Sequence, residues 1–439
     1  MSDAARHLDK RVVRVGLLGC GTVGGATVRI LQRHARDLAE RAGAPVEVGK
    51  VAVRDVARRR ALQLPSEAWT GEAWDVVHDP SIDIVVEVIG GLEPARSLIL
   101  EAIRCGKHVV TANKELLSSS GREVLEAAEQ AGVDVLFEGS VAGGIPIIRP
   151  MKESLAGDRV TRIMGIVNGT TNFMLTRMSE NGETFSDALG EAQLRGYAEA
   201  DPGADVDGSD AASKLAILAS IAFNARVAAT DVEREGIGKV TPRDIAAAHD
   251  LGYEVKLLAV AEAEDGQISA RVNPAMVPKT HPLAAVRDVF NAIFVEAEEV
   301  GELMFLGRGA GGAPTASAVV GDIVEIVRNI STGGRSAGCT CYHDRARIRP
   351  QEQAHARYYV VLSVLDQPGV LAAVAGAFAT HDVSIASVRQ EGFGDEATLA
   401  LITHAATEGA HEATFRDLEA LGAVRSVEST IRVLGTPEG

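Results

Sequence analysis

Val12-Val-Arg-Val-Gly-Leu-Leu18 runs directly into Gly19-Cys-Gly21-Thr-Val-Gly24, and this stretch decides the fold of the N-terminal part of the chain. The apolar run has the length of one buried strand, and a helical spacing of apolar residues begins after the third glycine. A strand, a glycine-rich turn and a helix in that order form the context of the dinucleotide fingerprint. We therefore predict that a Rossmann-type α/β domain begins with this unit.

Each glycine of the motif has a separate physical task. Gly19 makes the tight turn, Gly21 lets the backbone approach a pyrophosphate, and Gly24 lets the helix pack closely on the strand. The N-terminus of the helix favours the charge of a phosphate. The motif thus predicts cofactor contacts from Gly19, Gly21, Thr22, Val23 and Gly24.

Four later apolar runs have the length and composition of strands. They are residues 46–53, 82–89, 108–111 and 133–137. Their alternation with helical segments predicts a doubly wound parallel sheet. The second strand ends about 35 residues after Gly19, later than the usual ~20, and we attribute the difference to one long first helix that runs through Arg41.

The second predicted strand is followed by two residues of opposite charge, Arg54 and then Asp55. A carboxylate at this point would bind the ribose 2′-hydroxyl of NAD, whereas an arginine accommodates the 2′-phosphate of NADP. The order favours NADP(H) and leaves NAD(H) possible. The alternative is that the arginines, including Arg58-Arg-Arg60, only form the solvated start of a helix.

Two later strands are each followed by a short polar or glycine-rich loop, Val88-Ile-Gly90-Gly91 and Thr111-Ala-Asn113-Lys114. Ligands of open α/β sheets bind at the carboxyl ends of the strands. We therefore expect Gly90, Thr111 and Asn113 beside the cofactor. Lys114 is expected to point toward its reactive part.

The rhythm of strands and helices changes after residue 146, and we predict four segments. They are a dinucleotide-binding domain at 11–146 with 311–330 packing back on it, an α+β substrate-binding and dimerisation domain at 147–320, a linker rich in Gly, Ser and Arg at 331–356, and a small domain at 357–434. The second segment mixes helices at 185–194 and 210–224 with strands near 159–167 and 255–263. The last segment reads as βαββαβ, the ferredoxin-like order.

The stretch from Tyr197 to Lys214, YAEADPGADVDGSDAASK, is an acidic loop that leads into a helix. Its five carboxylates favour a cationic group, which Lys214 or the amino group of a ligand could supply. A solvated loop in which Asp210 only caps the helix is the alternative. Residues 215–223 are apolar on almost every face, so the helix should be buried and Lys214 should lie where solvent gives way to core.

Composition restricts the remaining possibilities. The chain has 439 residues and a net charge of −16, which predicts two or three domains and argues against nucleic acid or an anionic membrane as a partner. Its four cysteines (Cys20, Cys105, Cys339 and Cys341) are few and unevenly spread, which suits a reducing compartment rather than a disulfide framework. The N-terminus lacks a hydrophobic signal core and no apolar run reaches about 18 residues, so we expect a soluble, cytoplasmic protein.

With five motifs in order, the chain resembles homoserine dehydrogenase over residues 11 to about 330. The motifs are GCGTVG, TANK, EGSVAGGIP from Glu138, NGTTN from Asn168 and the acidic loop. The C-terminal segment, with Asp366-Gln-Pro-Gly369, resembles the amino-acid-sensing ACT domain. The resemblance implies interconversion of L-aspartate 4-semialdehyde and L-homoserine with NADP(H) or NAD(H), in threonine, methionine and isoleucine biosynthesis.

The resemblance also implies roles for individual residues. Lys214 matches the family's proton donor, and Lys114 matches a second active-site lysine. Glu199 and Asp205 match positions that hold the amino and hydroxyl groups of homoserine, and we place Asp210 and Tyr197 in the same substrate site. The family's monovalent metal loop, for Na⁺ or K⁺, matches Glu138, Val141, Gly143 and Ile145, and Gly311 matches a further cofactor contact. A homodimer or homotetramer and feedback inhibition by threonine through the ACT domain are also implied.

Three alternatives stay open at this point. An aldehyde-oxidising dehydrogenase would need a nucleophilic cysteine, and neither Cys20 nor Cys105 is well placed. A zinc module could use Cys339, Cys341 and His343, although structural zinc usually takes four ligands. A non-catalytic amino-acid sensor is the third, against which both lysines and the complete acidic loop argue.

Overall fold

The structure, a computed structural model, describes residues 11–58, 62–342, 344–392 and 396–435. The helices are α1 (Thr22–Arg33), α2 (Ala35–Ala42), α3 (Ala73–Val77), α4 (Ala95–Arg104), α5 (Lys114–Ala131), α6 (Gly169–Asn181), α7 (Phe185–Leu194), α8 (Gly203–Val206), α9 (Ser209–Ala222), α10 (Pro242–Asp250), α11 (Gly312–Thr332), α12 (Val370–Thr380) and α13 (Glu408–Ala420). The strands are β1 (Val13–Leu18), β2 (Val46–Ala52), β3 (Trp69–Thr70), β4 (Ile84–Glu87), β5 (His108–Thr111), β6 (Val135–Leu136), β7 (Val160–Ile166), β8 (Glu233–Arg234), β9 (Tyr253–Glu264), β10 (Gln267–Pro278), β11 (Phe290–Ala297), β12 (Gly301–Arg308), β13 (His355–Val364), β14 (Ile385–Glu391), β15 (Ala397–Thr403), β16 (Ala406–Thr407) and β17 (Val424–Val433).

These elements form two compact units. The first comprises the residues up to Ile163, Ser213–Asp231 and Phe290–Ala346, and the second comprises Met164–Ala212, Val232–Val289 and the chain from Arg347 onward. The predicted segment 147–320 is therefore divided between the units, and the predicted domain boundaries stay a prediction. Among the described residues, no helix combines the length and apolar character needed to cross a membrane.

The first unit contains a six-stranded sheet in the order β3-β2-β1-β4-β5-β6. Every neighbouring pair in it is parallel. This confirms the doubly wound Rossmann-type sheet. The strand order reverses between β1 and β4, and the crevice at the carboxyl ends of such strands is where ligands of these folds bind.

The long first helix of the sequence analysis was wrong, because α1 and α2 are separate helices that meet at His34. His34 leaves the helical conformation at φ −110° and ψ 21°. Neither glycine nor proline marks this break, so the apolar spacing gave no sign of it.

Helix α11 returns the chain to the core of the parallel sheet. Val319, Ile323 and Val327 of this helix are fully buried and belong to the same apolar cluster as Val15 of β1 and Val28 of α1. Because the cluster joins residues some 300 positions apart in sequence, the segment after residue 311 is part of the nucleotide-binding fold.

The second unit contains the hairpin of β9 and β10, paired in antiparallel register over all twelve residues of each strand. The C-terminal region has the sheet order β17-β13-β15-β14 with α12 and α13, which confirms the βαββαβ ferredoxin-like arrangement. Its edge strand β17 also pairs in parallel with β10, Arg432 opposite Ala275. The C-terminal region therefore shares a sheet with the β9–β10 hairpin.

The predicted linker is more structured than its composition suggested. Cys339 and Cys341 form a disulfide that the sequence analysis did not predict. Cys341 and Tyr342 are buried, and the Tyr342 ring packs against Gly121 of α5. Scarcity of cysteine argues against a disulfide framework but carries no information about one local pair.

Candidate active site

The glycine turn between β1 and α1 has the geometry that its sequence requires. Gly19 has a φ of +98°, in the region that favours glycine, and its N–H donates to the carbonyl of Ala52 at 3.0 Å. A Cβ on Gly24 would lie 2.4 Å from the Gly19 carbonyl oxygen, so the helix is as close to the turn as the backbone permits. A Cβ on Gly21 would meet no atom within 4 Å, which leaves that backbone open to a ligand.

A cavity of about 820 Å³ lies beside this turn. It is lined by residues of the turn, of the end of β2 and of the loop after β4: Gly19, Cys20, Gly21, Arg54, Asp55, Arg58, Val88, Ile89 and Gly90 among others. Gly21 precedes α1 and no side chain caps the helix among the described residues. The first amides of α1 can therefore bind a phosphate.

Arg54 and Asp55 differ in how they are used at the rim of this cavity. Arg54 is exposed. The Asp55 carboxylate accepts hydrogen bonds from the N–H groups of Ala57 and Arg58 at 2.9 and 3.1 Å, so it stabilises its own turn. The alternative interpretation made Arg58-Arg-Arg60 the start of a helix. Arg58 lies in a bend, and Arg59 and Arg60 lie outside the described residues.

The loop that begins α11 lies against the glycine turn. A Cβ on Gly312 would lie 3.0 and 3.1 Å from Cγ2 and the carbonyl oxygen of Thr22. Gly311, the predicted additional cofactor contact, has a φ of +130° just before this point. The structure thus brings Gly311 and Thr22 to one region of the first unit.

Glu87, the last residue of β4, is fully buried and was missed by the sequence analysis. Its Oε1 accepts hydrogen bonds from the N–H groups of Ile89 and Gly90, both at 2.9 Å. Its Oε2 accepts one from the Thr111 hydroxyl at 2.6 Å. Glu87 therefore ties the loop after β4 to the end of β5. The sequence indicates this role only through the position of Glu87, a carboxylate at the end of an apolar run. A charge buried at such a position needs hydrogen-bond partners.

The Thr111–Lys114 loop continues this network. Thr111 Oγ1 accepts a hydrogen bond from the Asn113 N–H at 3.0 Å, and Asn113 Nδ2 donates to the Gly91 carbonyl at 2.7 Å. Asn113 Oδ1 accepts from the Leu116 N–H and caps α5. Lys114 is the first residue of α5 and is partly buried. Its backbone is therefore fixed from both sides.

The loop predicted to bind a monovalent cation begins at Glu138, a residue that is 6% exposed. Its Oε1 accepts hydrogen bonds from the N–H groups of Ile147 and Ile148 at 2.6 and 2.8 Å, and its Oε2 accepts one from that of Arg149 at 2.9 Å. Both carboxylate oxygens thus hold the end of the loop. Any cation bound here would rely on backbone oxygens.

The other three residues of this loop offer such oxygens. Val141, Gly143 and Ile145 are buried, and their carbonyls accept no hydrogen bond from any residue in the described ranges. A Cβ on Gly143 would lie 2.6 Å from Thr315 Oγ1 and 2.9 Å from the Gly309 carbonyl oxygen, so the loop is closely packed. Buried carbonyls without donors fit a hard cation with oxygen ligands.

Asp322 of α11 lies behind Glu138 and was also missed. Its Oδ2 accepts a hydrogen bond from the Glu138 N–H at 2.8 Å, and its Oδ1 pairs with Arg149 at 2.9 Å. Burial, followed by the negative charge of Glu138, raises the pKa of Asp322 well above its ordinary value. Asp322 lies between apolar residues of α11, and nothing near it in the sequence indicates that it binds Glu138 and Arg149.

In the second unit, one side chain organises the acidic loop. Asn168 Nδ2 donates to Asp205 Oδ1 at 2.7 Å and to Asp210 Oδ2 at 2.9 Å. Its Oδ1 accepts from the Thr171 N–H and caps α6. The sequence analysis used the NGTTN stretch as a motif without a role, and the structure shows that its first residue fixes two of the predicted substrate carboxylates.

Tyr197 and Glu199 lie at the start of the acidic loop. Tyr197 is 41% exposed, and its ring packs edge-on against Phe173 at 5.1 Å. Its carbonyl accepts a hydrogen bond from the Thr170 hydroxyl at 2.8 Å. Glu199 is exposed, and its carbonyl accepts from Gln193 Nε2 at 3.2 Å. Both side chains are therefore accessible while their backbone is held.

Helix α9 begins at Ser209, which places Asp210 in its first turn. Asp207 Oδ1 accepts a hydrogen bond from the Ser209 N–H at 2.8 Å. Residues 215–219 are completely buried, as the apolar pattern predicted, and Lys214 before them is partly buried. Lys214 and Lys114 belong to the first unit, and the acidic residues up to Asp210 belong to the second.

Comparison with known proteins identifies the family. Residues 146–324 match the family described as homoserine dehydrogenase, residues 19–138 match its NAD-binding domain, and residues 358–423 match the ACT domain. The homoserine dehydrogenase of Mycobacterium tuberculosis is 51% identical over 439 residues, covering 98% of this chain and 99% of that protein. The chain belongs to the homoserine dehydrogenase family. The homoserine dehydrogenase of Bacillus subtilis is 41% identical over 97% of this chain and 99% of that protein.

Solved homoserine dehydrogenases have the same architecture. A structure of the enzyme from Thiobacillus denitrificans has a TM-score of 0.92 at 42% identity, covering 97% of this chain and 99% of that one. A structure of the Staphylococcus aureus enzyme has a TM-score of 0.79 at 32% identity, covering 97% and 100%. A hyperthermophilic archaeal homoserine dehydrogenase in complex with NADPH has a TM-score of 0.61 at 28% identity, covering 72% and 98%.

Membership of the homoserine dehydrogenase family argues against two of the three alternatives. It makes the chain an oxidoreductase rather than a sensor without activity. The thiol-dependent dehydrogenase also loses support, because Cys20 lies in the nucleotide turn and Cys105 is exposed at the end of α4. For the zinc module, Cys339 and Cys341 are bonded to each other, and His343 lies outside the described residues.

We predict that the buried carboxylate of Glu87 is needed for full enzyme activity. In Glu87→Gln an amide N–H₂ replaces one acceptor oxygen, so the contacts to Thr111 and to the loop amides cannot all be kept. We expect kcat/KM to fall about tenfold or more, because a buried hydrogen bond to a charged group contributes roughly 1.5–3 kcal/mol.

Steady-state kinetics measures this effect, and Glu126→Gln is the matched control, since Glu126 pairs with Arg122 on the exposed face of α5. Equal kinetics for the two variants would show that Glu87 does not shape the site.

Proposed function

We propose that the chain interconverts L-aspartate 4-semialdehyde and L-homoserine, with NADP(H) preferred over NAD(H), in the biosynthesis of threonine, methionine and isoleucine. The observation that carries the proposal is the match to homoserine dehydrogenases along 98% of the chain. The open α1 N-terminus beside a cavity of about 820 Å³ supports the nucleotide part of it. Cytoplasmic location belongs to the same proposal.

When bound, the nicotinamide supplies the hydride that reduces the aldehyde carbon. Negative charge then develops on the aldehyde oxygen, and a cation placed there stabilises it. We assign the proton that completes the alcohol to the ammonium group of Lys214, and Lys114 provides a second positive charge near the reacting groups. In the reverse direction the neutral amine of Lys214 takes the hydroxyl proton from homoserine.

The acidic loop is proposed to recognise the amino-acid part of the substrate. Glu199 and Asp205 bind the α-amino and hydroxyl groups, with Asp210 and Tyr197 completing the site. The contacts of Asn168 to Asp205 and Asp210 support this, because one amide holds both carboxylates in fixed orientation. Such pre-orientation lowers the cost of substrate binding.

The cofactor preference depends on Arg54. We expect Arg54→Ala to raise the KM for NADPH about ten- to a hundredfold, since a charge-assisted contact to the 2′-phosphate contributes roughly 1.5–3 kcal/mol. The KM for NADH should change little, because NADH lacks that phosphate. The comparison is made with both cofactors, and Arg36→Ala serves as the control, since Arg36 is an exposed residue of α2. Equal changes for both cofactors would exclude this role for Arg54.

A monovalent cation, Na⁺ or K⁺, is proposed for the loop at Glu138, Val141, Gly143 and Ile145. The buried carbonyls described above support it.

Threonine is proposed as a feedback inhibitor that binds the ACT domain of a homodimer or homotetramer. Gly369, with a φ of +92°, precedes α12, and no side chain caps this helix among the described residues. The first backbone amides of α12 can therefore bind the carboxylate of an amino acid.

Steady-state kinetics with L-aspartate 4-semialdehyde tests the proposal as a whole. We expect oxidation of both reduced cofactors, a higher kcat/KM with NADPH, and inhibition by threonine at about 10 mM, a concentration that saturates even a millimolar site. Absence of turnover with either cofactor would overturn the activity. Insensitivity to threonine would overturn only the choice of effector.

A further inference from the structure

The acidic loop rests on the backbone of a neighbouring glycine in the second unit. A Cβ on Gly236 would lie 2.2 Å from the Val206 carbonyl oxygen and 2.7 Å from Asp207 Cα. Real Cβ atoms do not approach a backbone this closely, so only glycine fits beneath the loop. Val206 directly follows Asp205, which is proposed to bind the substrate. The position of Gly236 therefore fixes the backbone next to Asp205.

The segment that carries Gly236 is itself attached to β10. Strand β8, Glu233–Arg234, pairs in parallel with β10, and the Glu235 N–H donates to the Val272 carbonyl at 2.7 Å. A Cβ on Gly208 of the acidic loop would lie 3.2 Å from Val272 Cγ1. The loop and the segment beneath it thus share one support.

The side chain of Glu235 points to the C-terminal domain. Its Oε2 pairs with Arg432 Nη1 at 3.1 Å. The remaining nitrogens of Arg432 bind the carboxylate of Glu408 at 2.7 and 3.3 Å, and its guanidinium lies 5.3 Å from the centre of the Tyr358 ring. Glu408 is 2% exposed and also accepts a hydrogen bond from the Tyr358 hydroxyl. Arg432 is therefore held firmly by the C-terminal domain.

We propose that Arg432 of the C-terminal domain is a positioning residue for the acidic loop and acts through Glu235 and Gly236. The inference rests on the proposed function, because it assigns to that domain a part in homoserine binding when no effector is present. Arg432 does not touch substrate. It holds the segment whose backbone supports residues 206 and 207.

Through the same contacts, a change in the C-terminal domain can alter the acidic loop. Arg432 lies on β17, opposite Tyr358 of β13. A ligand of the C-terminal domain that displaces β17 would move Arg432 and change its contact with Glu235. The predicted effect on the enzyme is weaker homoserine binding with cofactor binding intact.

Kinetics of Glu235→Gln and Arg432→Gln test the inference in the full chain. We expect each variant to raise the KM for homoserine about three- to tenfold, with the KM for NADP⁺ unchanged and no further increase in the double variant, because the two side chains act as one unit. Glu235→Gln is the safer variant, since it leaves the buried pair of Arg432 and Glu408 intact. Arg243→Gln is the control, because Arg243 binds Glu428 and Thr398 of the same domain without contacting the acidic loop.

A second pair of variants tests the backbone contact. Gly236→Ala should raise the KM for homoserine more than Glu235→Gln does, whereas Gly238→Ala should not, because a Cβ there meets no atom within 4 Å. Amide hydrogen exchange of residues 199–208 gives a readout that does not need activity, and it should become faster in Glu235→Gln.

The inference is overturned if Glu235→Gln and Gly236→Ala both keep the KM for homoserine within about twofold of wild type. Changes of that size are expected for substitutions that are not coupled to the substrate site. It is equally overturned if exchange in residues 199–208 is unchanged in Glu235→Gln. Failure of the proposed function looks different, since the wild-type chain itself would then not oxidise homoserine.

Discussion

Lys214→Ala is expected to lower kcat for homoserine oxidation by about 10²- to 10⁴-fold, the usual contribution of a well-placed proton-transfer group. The KM for NADP⁺ should stay close to the wild-type value, because the nucleotide turn and its cavity do not include Lys214. The fully buried residues that follow Lys214 on α9 are unchanged by the substitution, so the helix should keep its position.

Lys214→Arg distinguishes proton transfer from simple positive charge. The guanidinium keeps the charge but hardly gives up its proton, so it cannot replace an ammonium as an acid. We expect kcat of this variant to remain far below wild type. Recovery of most of the activity in Lys214→Arg would show that charge alone suffices, and turnover near wild type in Lys214→Ala would remove Lys214 from the mechanism.

Gly24→Ala is expected to have the largest effect on cofactor binding. The added Cβ would lie 2.4 Å from the Gly19 carbonyl oxygen, so either the turn or the start of α1 must move. A displacement of roughly 1 Å at a binding site can reduce catalytic efficiency by about 10²-fold. We therefore expect kcat/KM for NADPH to fall by about that factor, measured at saturating aspartate semialdehyde.

Gly25→Ala is the matched control on the same helix. The nearest atom to its added Cβ is the flexible end of Arg29 at 3.6 Å. Alanine is the better helix former by about 1 kcal/mol, so this variant should be at least as stable as wild type and fully active. If Gly24→Ala and Gly25→Ala bind NADPH equally well, the close packing of α1 on the turn is not needed for cofactor binding.

The parallel sheet was predictable from sequence because its signals are local. The apolar run before GCGTVG and the later Val-rich strands correspond to β1, β2, β4 and β5 with ends that agree within two residues. The βαββαβ order of the C-terminal domain was predictable for the same reason. Apolar periodicity identifies an element even when it cannot locate a break such as that at His34.

The side chains that organise the site could not be predicted, because their partners are remote in sequence. Glu87 binds Thr111, 24 residues away, and Asn168 binds Asp210, 42 residues away. Arg432 and Glu235 are separated by 197 residues. No spacing rule connects such pairs. The residues proposed to touch ligands follow from motifs, whereas those that hold them in place follow from the three-dimensional contacts.

A crystal structure of the full chain with NADP⁺ and L-homoserine tests the central claim most directly. We predict that Nζ of Lys214 lies within hydrogen-bonding distance, about 2.6–3.2 Å, of the homoserine hydroxyl oxygen. A complex in which that hydroxyl is bound by other groups while Nζ of Lys214 faces bulk solvent would contradict it.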